Sequence, residues 1–434
     1  MKKKSILWIL VLLLGLALVI TGCAKKEEGK KELPKEEPKQ EEKKEGDGSW
    51  ERVKKAGKIV AGLDDAYPPM GFRNDKGEML YSISPQIYQN NVLAFVGINA
   101  SGKTTTLKVI SFIIQMLNNE PINSIRSNSI LNGLLEKDKI VFDVYFSVAS
   151  NVIYRLETTI GKNQLFDDME KKYIIESEKL WSKDIKSIKT KKNIFDFTNL
   201  EPIQRRKGDE EYLPDDVSIM ISLNKKNNVK INFKDLINWT NINLIRVLGD
   251  FPQELVTFLD SSIEYLKSNI ENENDVEIRL KFKGKDEILM NSPLELERYL
   301  SSGTIKGINV FVNAMLVLAN GGYLIIDELE NHFNKELAST LVRFFMNHKV
   351  NKKGAVILIS THYPELLDEF ERNDNIYITR NEGGISVENL SKLLKRNDIK
   401  KSEVYQSGFL QGTVPAYESF IEFKKALISF GGKS

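Results

Sequence analysis

Gly97-Ile98-Asn99-Ala100-Ser101-Gly102-Lys103-Thr104 stands between an apolar run, Val92-Leu93-Ala94-Phe95-Val96, and a helix-like segment, Thr105-Thr106-Leu107-Lys108-Val109-Ile110. No other stretch restricts the fold of this 434-residue chain as tightly. Strand, glycine loop and helix follow one another in the order of a β-α unit that wraps an anion. The G-x-x-x-x-G-K-T spacing lets successive backbone N–H groups converge on a phosphate at the start of a helix. Lys103 can then reach the β- and γ-phosphates, and the Thr104 hydroxyl can ligate Mg²⁺. Gly97, Asn99, Ser101, Gly102, Lys103, Thr104 and Thr105 are the expected phosphate-binding set, for ATP with Mg²⁺.

Two later segments complete a site of this kind. Tyr323-Leu324-Ile325-Ile326 ends in Asp327-Glu328, so a buried strand would deliver two carboxylates to the phosphate end of a sheet. Asp327 would hold the Mg²⁺ shell, and Glu328 would orient and deprotonate the attacking water. Ile357-Leu358-Ile359-Ser360-Thr361-His362 places a histidine at the end of the next apolar run. The chain has three histidines, at 332, 348 and 362, and their spacing suits no metal site. Leu300-Ser301-Ser302-Gly303-Thr304 precedes a helical stretch. Ser301, Ser302 and Gly303 could meet a γ-phosphate there, although a plain helix N-cap uses the same residue types.

In this order the motifs resemble the ABC-type ATPase heads of the RecF, SMC and overcoming-lysogenization-defect group, within the AAA-family ATPases. The resemblance covers about residues 81–434. It implies an α/β P-loop NTPase fold with an antiparallel β-lobe and a helical lobe. Alternation at 141–146 and 151–156 suits the β-lobe, 3–4 periodicity at 237–270 the helical lobe, and 276–282 a further strand. The resemblance also makes Glu328 and His362 the catalytic pair, His362 as the switch histidine, and places His332 on a segment lining a dimer interface. It implies a homodimer closed around ATP, with Ser301, Ser302 and Gly303 of one subunit facing the phosphates of the other. Ser302 and Thr304 depart from the L-S-G-G-Q signature. Ala100 stands where many such ATPases have glycine, and its Cβ strains the turn if the position needs φ > 0. No glutamine can be assigned to the Q-loop. No D-x-D pair of a nuclease domain occurs after Tyr363, so any nuclease or toxin activity would come from a separate effector. From 376 to 378 a strand and from 390 to 396 a helix are expected as structural completion.

The N-terminus points elsewhere. Lys2-Lys3-Lys4, an apolar run at 6–20 and Thr21-Gly22-Cys23 form a signal peptide over 1–22 that ends in what looks like a bacterial lipobox. Cys23, the chain's one cysteine, is the expected lipidation site and membrane anchor. Residues 23–48 are nearly all Lys, Glu, Pro, Gly and Gln and read as a disordered charged tether. Residues 49–80, with Tyr67-Pro68-Pro69-Met70-Gly71-Phe72, resemble the start of the amino-acid-binding lipoproteins of ABC importers. That resemblance stops after about thirty residues, too few to fold alone, and occupies most of the place of the hairpin expected before Val92. The leader taken literally predicts a membrane-anchored lipoprotein, whereas a working ATPase belongs in the cytoplasm. A net charge of +2 without a long basic block makes no argument for nucleic acid, which stays possible as a partner.

Overall fold

The computed structural model describes residues 81–84 and 87–431, with breaks at 85–86, 136–138, 150–151, 164–171, 189–190, 207–211, 228–229, 240–243, 246–250, 273–274, 332–333, 382, 411–412 and 414–416. Before residue 81 it describes only two-residue strand fragments at 11–12, 17–18 and 60–61. Apart from those fragments, the expected signal peptide and tether, Cys23, the lipoprotein-like segment with Tyr67 and Phe72, and His332 lie outside the described residues. A short antiparallel hairpin, β1 (Tyr81–Ser84) and β2 (Ile87–Gln89), does precede the first core strand.

A six-stranded sheet forms the centre. Its strands are β3 (Val92–Val96), β8 (Phe233–Asp235), β12 (Tyr323–Ile326), β13 (Val356–Ser360), β14 (Ile376–Asn381) and β15 (Ile385–Asn389). Their spatial order is β8-β12-β13-β3-β14-β15, all parallel except the β15 edge. The apolar runs are continuous because both faces of the sheet are covered. Leu93, Phe95, Ile325 and Leu358 pack beneath α1 (Lys103–Leu117) through its Leu107, Ile110 and Ile114. Val92, Ala94, Val96, Ile326 and Ile359 pack on the other side against α4 (Ser302–Asn320) and α5 (Lys335–Met346). Such a three-layer α/β core puts the β3-to-α1 loop at the carboxyl edge of the parallel strands, where ligands bind in open α/β sheets.

The expected β-lobe is present as four antiparallel strands: β4 (Lys139–Ala149), β5 (Val152–Lys162), β6 (Tyr173–Asp184) and β7 (Gln204–Arg205). Its Phe142, Val144, Leu156 and Ile160 share a core with Val109, Phe112, Ile113 and Met116 of α1 and with Met220 and Leu223 of α2 (Met220–Asn227). One helix thus serves two layers and ties the lobe to the nucleotide loop.

The expectation of helix through 237–270 is overturned. Among the described residues the α-helix there is α3 (Gln253–Leu259), and β9 (Ile263–Asn272) is a strand in a three-stranded meander with β10 (Asp275–Phe282) and β11 (Glu287–Met290). A register shift between Ile263 and Tyr265 explains the misreading. The bulge puts Ile263 and Leu266 on one buried face three residues apart, which imitates a helical repeat. Together with Val256, Ile305 and Ile308 these residues form a separate small core.

Near the C-terminus the 376–378 strand is β14, but the expected 390–396 helix stops early as α6 (Leu390–Leu393). Asn373 Nδ2 donates to the carbonyls of Leu394 and Arg396, holding that backbone in an extended path. The tail then packs back through α7 (Lys401–Gln406), where Ser402 N and Oγ both donate to Asp368. A last helix, α8 (Tyr417–Gly431), follows.

Candidate nucleotide site

The loop between β3 and α1 has the shape its glycines require. Gly102, with φ 101, is the left-handed N-cap of α1, where only glycine is unstrained. Gly97 is needed for a different reason: a Cβ there would lie 2.4 Å from Ser101 Oγ and 2.6 Å from the Thr379 carbonyl. Ala100 has φ 61, so the position does need a positive φ, and its Cβ stands in the strained region. The neighbouring strand β14 braces the turn, with Ser101 Oγ and Thr379 Oγ1 2.7 Å apart, Thr379 Oγ1 donating to Val96 O, and Asn381 Nδ2 donating to Ala100 O. Buried Tyr405, its hydroxyl pushed up to about 12 chiefly by desolvation, also meets the Gly97 backbone.

Lys103 is 6% exposed and donates to the carbonyls of Gly97 and Ile98 at 3.0 and 3.1 Å. Burial lowers its pKa, and the nearby carboxylates of Glu330, Asp327 and Glu328 work against that shift. Thr104 Oγ1 donates to Asp327 Oδ2 at 2.7 Å, closing a gap of 223 residues in sequence. A hydroxyl oxygen and a carboxylate oxygen, side by side at the end of a phosphate loop, suit Mg²⁺, a hard cation that takes few protein ligands. Asn99 and Thr105 are exposed beside them.

Glu328 has φ 47, a left-handed backbone in a residue that is not glycine. Asn331 Nδ2 donates to its Oε2 at 2.6 Å, and the Glu328 N–H donates to Ser360 Oγ at 2.7 Å. Ser360 Oγ in turn donates to Asp327 Oδ1. His362 lies within electrostatic reach of this group. Burial and then the Lys103 charge hold its pKa below the ordinary 6.5, against Glu330, Glu328 and Asp327. Its backbone N–H donates to Glu330 Oε1 at 2.8 Å.

Lys103, Thr104, Asp327, Glu328 and His362 therefore converge, as their order in sequence predicts. Ser301, Ser302 and Gly303 stand elsewhere, at the start of α4. Ser301 is its N-cap and accepts from Thr304 N at 3.1 Å, so the capping explanation holds for that side chain. Lys306, one turn on, donates to Asn331 O, linking this helix start to the acidic segment. Sequence reasoning missed Ser360, Thr379, Glu330 and Asn331. The one available signal was a serine closing an otherwise apolar strand.

Fold and site together define a P-loop ATPase domain. The chain belongs to the family described as "AAA domain, putative AbiEii toxin, Type IV TA system", whose profile matches residues 92–368. Among solved structures, the SMC head domain from Thermotoga maritima aligns at 11% identity and a TM-score of 0.32, covering 72% of this chain and 96% of that one. No curated protein matches the chain.

Proposed function

We propose that this chain is a Mg²⁺-dependent ATP hydrolase whose output is conformational and whose active form is a dimer closed around ATP. The observation that carries the reading is the Thr104–Asp327 hydrogen bond, which joins the phosphate loop to the acidic strand end at one metal-sized point. Thr104 and Asp327 would hold Mg²⁺, which neutralises charge on the phosphates when bound. Lys103 would leave its two carbonyl partners for the β- and γ-phosphates. Glu328 would take a proton from water as the water oxygen bonds to the γ-phosphorus and the bond to the β–γ bridging oxygen breaks. His362, neutral, would contact the γ-phosphate. Ser301, Ser302 and Gly303 of a second copy would close the site.

The family's description names a toxin of a type IV toxin–antitoxin system. That supports service in a defence system over solute import, and to it the proposal adds nucleic-acid processing or a separate effector. The cytoplasm, which holds ATP, is the proposed location.

Two variants test the assignment by phosphate release and size-exclusion chromatography with ATP. Lys103→Ala should lose nucleotide binding, since the polyphosphate loses its main protein cation. Glu328→Gln should still bind ATP, hydrolyse it about a hundredfold more slowly, and accumulate as a dimer. A Glu328→Gln protein that stays monomeric and turns over at the parental rate sinks the assignment.

A further inference from the structure

We propose that Ser360 and Glu330 form a reciprocal clasp that sets the position of Asp327 and Glu328 and makes the His362 segment move with them. The proposal rests on the ATPase reading above. β12 and β13 are parallel neighbours, and their paired register runs as far as Ile326 opposite Ile359. Beyond that pair the two chain ends carry the acidic segment 327–330 and the segment 360–362. Here side chains take over from the backbone ladder. Ser360 Oγ accepts the Glu328 N–H at 2.7 Å, and Glu330 Oε1 accepts the His362 N–H at 2.8 Å. Each segment thus lends one side chain to the other's main chain.

Ser360 is fully buried, and its hydroxyl is used in both directions. It has a single proton to give, and that proton goes to Asp327 Oδ1, while Thr104 occupies Oδ2. Ser360 therefore decides which carboxylate oxygen is turned to the metal position. Its acceptor role bears on Glu328. A non-glycine residue at φ 47 persists only where its surroundings over-determine it, and Ser360 Oγ is the partner of that residue's N–H. Glu330 Oε2 is buried and has no hydrogen-bond partner among the described residues. Glu330 also lies close enough to act electrostatically on both Lys103 and His362. Displacement of His362 toward a γ-phosphate would pull on Glu330, and through the short acidic segment on Glu328 and Ser360. Ser360 and Glu330 are positioning residues: neither needs to touch the reacting atoms.

The test uses the full chain and three readouts: kcat for phosphate release, the Mg²⁺ concentration giving half-maximal rate, and affinity for a fluorescent ATP analogue in EDTA. Ser360→Ala should lower kcat and raise the half-saturating Mg²⁺ each by roughly 10–100-fold, the usual effect of losing a residue that orients a metal ligand. Metal-free nucleotide affinity should stay at the parental value, which also shows that the loop is folded. Ser360→Thr, which keeps the hydroxyl, should recover most of the loss. Glu330→Gln, which keeps an acceptor for the His362 N–H, should recover most of what Glu330→Ala loses. In Ser360→Ala/Glu330→Ala the losses should fail to multiply, because either change opens the same clasp. A parental protein that neither binds nor hydrolyses ATP overturns the ATPase reading and the clasp with it. A parent that hydrolyses ATP beside a Ser360→Ala protein with parental kcat and Mg²⁺ dependence overturns the clasp alone, as do single losses that multiply in the double variant.

Discussion

Gly97→Ala isolates the geometry of the phosphate loop from its chemistry, because it adds one carbon and removes no functional group. That carbon would lie 2.4 Å from Ser101 Oγ, 2.5 Å from Thr379 Oγ1 and 2.6 Å from Thr379 O. The two hydroxyls could rotate away, but doing so breaks the Ser101–Thr379 contact, worth about 1 kcal/mol. The Thr379 carbonyl belongs to the backbone of β14, so relieving it requires the loop and that strand to part. Forcing one extra carbon into packed surroundings costs about 1–3 kcal/mol. The sum is about 2–4 kcal/mol. At roughly 2–4 °C per kcal/mol for a sizeable domain, the melting temperature should fall on the order of 5–15 °C. ATP affinity should fall as well, since the N–H groups that face the phosphates belong to the part that moves. Gly383→Ala is the control. It has φ 73 and nothing within 4 Å of the added carbon, so it carries the conformational cost without a clash and should leave ATP binding intact. Differential scanning fluorimetry with and without ATP, and a fluorescent-nucleotide titration, measure both effects. A Gly97→Ala protein that melts and binds like the parent refutes the contact between loop and β14.

Ala100→Gly should stabilise the protein, because relief of a left-handed alanine, about 1–2 kcal/mol, exceeds the extra backbone entropy of glycine, about 0.5–1 kcal/mol. A urea midpoint that does not rise would mean that Ala100 is unstrained. His362 should titrate below 6.5 in an NMR pH series, and Lys103→Ala, by removing a neighbouring positive charge, should move it upward. Since its folded pKa is the lower one, the unfolded chain takes the proton first, so the stability due to His362 is fully present above pH 6.5 and is lost progressively as pH falls from there through the lower folded pKa. Ser302 is exposed at the first position of α4, so Ser302→Arg should fold and bind ATP as a monomer but fail to dimerise on size-exclusion chromatography.

The parts of this molecule that were legible in sequence are those whose cause is local. Five consecutive apolar residues in Val92–Val96 mean a strand covered on both faces, and the core clusters on either side of the sheet bear this out. The glycine spacing of the loop is dictated by backbone conformation and close approach, so Gly97 and Gly102 announce the turn without reference to anything distant. Asp327, Glu328 and His362 could be placed because each closes an apolar strand at the same edge of one sheet. The strand at 276–282 was read correctly and is β10, but its neighbour at 263–272 was illegible for an equally local reason. One bulge changes a period of two into an apparent period of three, and no count of apolar residues separates the two.

Ser360 was hidden by a different cause. Its partners, Glu328 and Asp327, lie 32 and 33 residues away, and the Ser101–Thr379 contact spans 278. Such pairs exist only because parallel strands adjacent in space are remote in sequence. Neither hydroxyl interrupts a pattern strongly enough to be singled out, since a serine or threonine near a strand end is ordinary. What distinguishes Ser360 is the combination of complete burial, a donor and an acceptor role filled at once, and a left-handed residue on the receiving side. Each of these is a property of the folded neighbourhood. The residues to which the proposed mechanism gives the chemistry can therefore be found here by their type and spacing. Those that aim the chemistry become visible when the sheet order, which sets β13 between the loop strand and the acidic strand, brings their partners beside them.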